Sequence, residues 1–189
     1  MTARRLAGIA DRRLVLGAYA LFFVFVSGFM TFLSTFLAAA RGYPETTASA
    51  AFASVFAVGL VTKPVTGTMS DRFDRTLVGT AGLVLAGVAL LALVAAPSLP
   101  WVLVSLLPLA VSYKTQFPLA DALMMETAPV ENVGGDVGAA RALFLGAGSL
   151  EPALVGGAAT IIGYGGAYVS LAGVLLASAA LLAWRYRRG

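Results

Sequence analysis

Apolar residues in this chain fall in long, nearly unbroken runs separated by short polar connections, not at the three-and-four spacing of a soluble helix face. A helix needs about 20 apolar residues to cross a hydrocarbon core. Six runs meet that length: 14–40, 48–69, 77–96, 101–125, 137–162 and 167–184. Pro108 and Pro118 interrupt the fourth, and the fourth and fifth carry Lys114, Asp121 and Glu151. The pattern predicts an all-α, polytopic membrane protein. Residues 1–189 form a single domain of six transmembrane helices, a half bundle with no soluble domain or linker of note.

Composition agrees: 59% of the residues are hydrophobic and 12% charged, too few charges to keep a soluble domain of this size in solution. Placement of the charges says more than their sum of +4. One side of the spans collects Arg4, Arg5, Arg12, Arg13, Arg72, Arg75, Arg141, Arg185, Arg187 and Arg188, and the other has only Arg41. Basic residues stay inside, so both termini are expected in the cytoplasm and the protein in the cell membrane as a multi-pass protein. Trp101, Trp184, Tyr43 and Tyr164 fall near the expected interfaces. The apolar stretch behind Arg12 and Arg13 is too long for a signal-peptide core and reads as a helix that stays. The expected partner of these surfaces is the lipid bilayer. No nucleic acid is implied, because no arginine-rich face interleaved with aromatics exists. The chain has no cysteine and no histidine, which removes disulfides, thiolate nucleophiles, the usual zinc sets and imidazole acid–base chemistry. No metal and no cofactor is expected.

The connection after the second run reads Gly67-Thr68-Met69-Ser70-Asp71-Arg72-Phe73-Asp74-Arg75. It resembles the cytoplasmic signature of the major facilitator superfamily, G-x-x-x-D-R-x-G-R-R/K, at the place where that family carries it. Gly67, Asp71, Arg72 and Arg75 match; Asp74 stands for the second glycine and Thr76 for the last basic residue. Such looseness is commoner in the motif's second copy, in the family's C-terminal half. Two more stretches are similar to that half. Arg12-Arg13-Leu14 leading into an aromatic-rich span resembles the start of the seventh helix. Gly146 to Pro152 followed by Gly156-Gly157 resembles the glycine-proline pattern of the eleventh, with Glu151 where a small residue is more usual. The resemblance covers essentially the whole chain but about half of a normal member. It implies a cytoplasmic gate built from Gly67, Asp71, Arg72 and Arg75. Gly67 permits close helix approach, and Asp71 and Arg75, four apart, can pair on one helical face. Asp71 can also sit against the N-terminus of a neighbouring helix. The plainer alternative is a charged turn that only orients the protein.

Ionisable groups inside spans are costly unless paired or wetted, so each is a candidate for substrate or proton coupling. Glu151 lies about 15 Å inward from Arg141 at ~1.5 Å per residue, beside Pro152 and one turn from Gly148. It reads as a coupling or substrate-contacting carboxylate, as a structural partner of Lys114, or as a neutral acid. Lys114 and Asp121 are seven apart and share a face of the fourth span, with Pro118 between them; Asp121 alternatively marks the cytoplasmic end. Lys63 either snorkels to the interface or lines a path. In the first span Phe22, Phe25, Phe29, Phe32 and Phe36 form one stripe, and Ser27, Thr31 and Ser34 lie on the opposite side. The hydroxyl face either lines a water-filled path, with the phenylalanines towards lipid, or packs on another helix.

The function these features imply is one half of a secondary transporter. It moves a small-molecule or ion substrate by alternating access together with a second six-helix half, as a homodimer or with a separate chain. The alternative is a non-transporting membrane fragment or assembly partner. A small channel lacks its charged ring or selectivity loop. An enzyme is not implied, since no paired nucleophile, metal set or phosphate-cradling loop accompanies Glu151, Asp121 and Glu126.

Overall fold

A computed structural model describes the backbone of residues 3–128 and 133–188, and the side chains of 10–58, 73–128 and 133–188. The described chain is helical: α1 (Ala3–Thr35), continued by a π-helical turn Phe36–Ala40, then α2 (Glu45–Arg72), α3 (Arg75–Ala95), α4 (Leu99–Thr127), α5 (Val133–Ser149) and α6 (Glu151–Arg188). Among the described residues four stretches are long and apolar enough to cross a membrane: Ala10–Ala40, Arg75–Ala95, Leu99–Thr127 and Val133–Arg188.

Local sequence sets the breaks. Gly42 takes φ +70°, which ends the α1 path. Asp74 caps α3 by accepting the Leu77 N–H at 2.9 Å. Pro100 sits in the first turn of α4, where no N–H is needed. Between α5 and α6 only Leu150 leaves the helix. The cause is Pro152, which has no N–H for the Gly148 carbonyl and disfavours helical geometry at Glu151.

The last 56-residue stretch spans about 84 Å if straight, far more than a hydrocarbon core of ~30 Å. It reverses at Gly163, whose φ of 73° and ψ of 167° belong to a region open essentially to glycine alone. Contacts along α1 trace the turn. Phe144 stacks on Phe23, Glu151 reaches Gly28, and Tyr164 meets Phe32. The outermost contact, past Gly163, is Tyr168 stacked on Phe36 at 4.3 Å; from there the order runs back, and the Ser178 hydroxyl donates to the Ala18 carbonyl at 2.7 Å.

Phe22, Phe25, Phe29 and Phe36 are buried in the core, with Tyr19 and Tyr168. This corrects the expectation that the phenylalanine stripe faces lipid. Only Phe32 is half-buried. Lipid tails and a protein core are equally apolar, so the stripe had two apolar destinations, and ring contacts to Phe117 of α4 and Tyr168 of α6 select the inner one. Outward-facing apolar surface is supplied instead by residues such as Val88, Val104 and Ile161.

Candidate functional site

The two ends of the bundle differ in charge. At one, Arg41 donates to the Val94 carbonyl at 3.1 Å and ties the α1–α2 turn to the end of α3. At the other, three ion-pair groups link helix ends. Arg75 donates to Glu126 Oε1 at 2.6 Å, and Arg185 approaches the same carboxylate at 3.9 Å while donating to the Thr76 hydroxyl. Arg12 pairs with Asp136 at 2.9 Å. Arg141 grips Asp121 with two bonds of 3.2 and 2.8 Å, the fork geometry that guanidinium and carboxylate favour.

The gate-motif side chains of Gly67, Asp71 and Arg72 lie outside the described residues, as does that of Lys63. Arg75 is described, and its partner is Glu126. Asp71 and Arg75 do not share one helical face: α2 ends at Arg72, and the Asp74 cap starts a separate helix at Arg75. The residue that departs from the family pattern is therefore the one that begins α3.

Glu151 is wholly buried, and neither carboxylate oxygen has a hydrogen-bond partner among the described residues. Its side chain lies on the backbone of Gly28, so close that a Cβ there would stand 2.6 Å from Oε1. The alternative of a Glu151–Lys114 pair is not realised. Lys114 is half-buried on another face, its Nζ 5.3 Å from the Phe56 ring centre and 4.6 Å from that of Tyr113. Lys114 and Asp121 do share a face of α4, together with Phe117 between them.

On α1, Thr31 is exposed and Ser27 and Ser34 are half-buried, while the phenylalanine side is closed. Ser34 lines a cleft of about 490 Å³ with Thr35, Glu45 and Ser49. Ser27 packs against Gly148 of α5, where a Cβ would meet its Oγ at 2.6 Å. Thus one hydroxyl seals a helix contact and two remain accessible.

Sequence reasoning missed a buried polar knot. Gln116, with no exposure, donates from Nε2 to the Gly79 carbonyl at 2.8 Å and accepts from the Tyr19 hydroxyl at 3.1 Å. Gly82 makes room, since a Cβ there would lie 2.7 Å from Nε2. The available signal was a lone amide in an apolar span, flanked by Pro108 and Pro118. Among the described residues no group of three or more acidic side chains could hold a metal. Accessible on α1 and α4 are the Thr31 and Ser34 hydroxyls, the Phe117 ring and Lys114.

The family model for the Major Facilitator Superfamily matches residues 15–189, nearly the whole chain. No curated protein sequence matches it.

Proposed function

The chain belongs to the Major Facilitator Superfamily, a family of transporters and not of enzymes, and on that premise we propose that it is one six-helix half of a secondary transporter. It is a multi-pass membrane protein; we assign it to the cytoplasmic membrane with both termini inside, a placement supported by the arginine-rich end that holds Arg12, Arg75 and Arg185. The six spans are α1 to α4, then α5 with α6 up to Gly163, and the remainder of α6. A second half, either another copy or a separate polypeptide, closes the path, and the two rock about a central site.

The observation that carries this reading is the asymmetry of α1. Its aromatic side is closed by α4 and α6, and its hydroxyl side, where Ser27 packs on Gly148 of α5, stays open at Thr31 and Ser34. A path-lining helix needs such an arrangement, because water and solute pass on one side only. In this reading Glu151 is the coupling group. It is a carboxylate with no fixed partner among the described residues, behind the path and at the broken α5–α6 junction, where helix movement is easiest.

The absence of cysteine allows a clean test. In native membranes Thr31→Cys is expected to react with a water-soluble maleimide, and solute gradients are expected to change the rate. Val88→Cys, exposed on α3, is expected to stay unreactive because a thiol in lipid does not ionise. Failure of Thr31→Cys to react in folded protein, together with no solute uptake by proteoliposomes, would leave the non-transporting fragment as the reading.

A further inference from the structure

Resting on the transport reading, we infer that the solute is a small organic anion with a flat apolar body, held by Lys114 and a ladder of aromatic rings. Lys114, Phe117 and Asp121 lie at i, i+3 and i+7 of α4 and share one face. From Lys114 the rings run on in contact: Tyr113 to Phe117 at 5.3 Å, Phe117 to Phe23 at 5.3 Å, and Phe23 to Phe144 at 5.1 Å. At the far end of this row Phe117, Phe23 and Phe144 line a cavity of about 200 Å³ between α1, α4 and α5, together with Asp121 and Arg141; Lys114 lies outside it, at the Tyr113 end of the row. Lys114 stands about 10 Å from Asp121 along the helix at ~1.5 Å per residue, which is the length of a one-ring molecule with a short acidic arm.

Charge selects the sign of the ligand. Asp121 and Arg141 neutralise one another through two bonds. Lys114 makes no ion pair among the described residues; its ammonium rests on the faces of Phe56 and Tyr113. The face is thus left with one positive charge, stabilised by rings but not neutralised. A cationic solute would meet that charge. Glu151 does not offset it, being sealed behind α1 on Gly28 and presenting nothing to the face. An anion instead gains a charge-assisted bond from Lys114, which is half-buried against the Phe56 and Tyr113 rings. The phenylalanine walls exclude strongly hydrated bodies and favour a ring that stacks. A space of about 200 Å³ is smaller than the 300–1,000 Å³ typical of drug-sized ligands, so one ring is the expected size.

The test uses the whole protein in mild detergent with three matched probes: 3-phenylpropionate, 3-phenylpropylamine and 3-phenylpropanol. Equilibrium dialysis is expected to show the acid binding at least ten-fold tighter than the alcohol, and the amine not at all. Lys114→Gln is expected to remove that preference and Lys114→Arg to keep it. Phe117→Leu is expected to weaken acid and alcohol alike. Tighter binding of the amine, equal binding of acid and alcohol, or no binding of any probe overturns the anion assignment. The comparison among probes requires only the unaltered chain, so it holds even if a Lys114 variant does not fold. Reactivity of Thr31→Cys is independent of all three probes, so an open path with no anion preference would sink this inference and leave transport standing.

Discussion

Adding one methyl group at Gly28 probes the seat of Glu151. The new Cβ would stand 2.6 Å from Oε1, 2.9 Å from Cδ and 3.0 Å from Cγ of Glu151, where ordinary contact begins at 3.4 Å. The carboxylate must retreat by the difference of 0.8 Å, and it is enclosed on all sides. Overpacking of this kind costs about 1–3 kcal/mol. In the background of Glu151→Ala the obstruction is gone, and the same methyl fills vacated space while favouring the helix by up to ~1 kcal/mol. The helix gain is common to both backgrounds and cancels, so the two substitutions are expected to couple by about 1–3 kcal/mol, beyond the scatter of independent sites. Thermal unfolding in mild detergent, followed by tryptophan fluorescence, measures this at about 2–4 °C per kcal/mol for a chain of this length. Gly28→Ala should lower the midpoint in the unaltered chain and raise it or leave it unchanged beside Glu151→Ala. The same shift in both backgrounds would mean that the carboxylate does not lie on α1, and the coupling role built on that position would fall with it.

Two further outcomes test the frame around the site. Gly163→Ala forces a side chain into backbone geometry that costs about 1–3 kcal/mol; a lowered unfolding midpoint is expected, and an unchanged one would remove the reversal at that residue. For orientation, Ser98→Cys and Gly165→Cys should react with an impermeant thiol reagent from outside intact cells, and Asp74→Cys and Gly134→Cys should not. The opposite labelling would turn the protein over.

Length and hydropathy made the helices legible, because the bilayer thickness dictates how long an apolar run must be. The glycine-rich gap between the fifth and sixth runs held the reversal at Gly163, whereas the break at Leu150, set by Pro152, fell inside a run read as unbroken over 137–162. The facing of helices was harder. For α1 both sides are apolar enough for lipid, and the choice depended on Tyr168 and Phe117, which are distant in sequence. Glu151 stood out as a buried acid, but its neighbours did not: distance along α4 says nothing about whether Lys114 turns toward α5 or toward Phe56 on α2. The motif match at Arg75 was readable, whereas its pairing with Glu126 required the far end of α4. Asp74 looked like a defect in a pattern until its carboxylate was found holding the Leu77 N–H.

The knot around Gln116 has a consequence for assembly in time. Its amide binds Tyr19 on α1 and Gly79 on α3, both made earlier during synthesis. When α4 leaves the translocation machinery, each partner is already in the membrane, so the amide need not wait unsatisfied in hydrocarbon. A helix carrying two internal prolines and a primary amide inserts poorly by hydrophobicity alone, yet here it arrives at a prepared dock. Reordering the helices by circular permutation, with α4 first, would keep every contact of the finished bundle but take that dock away.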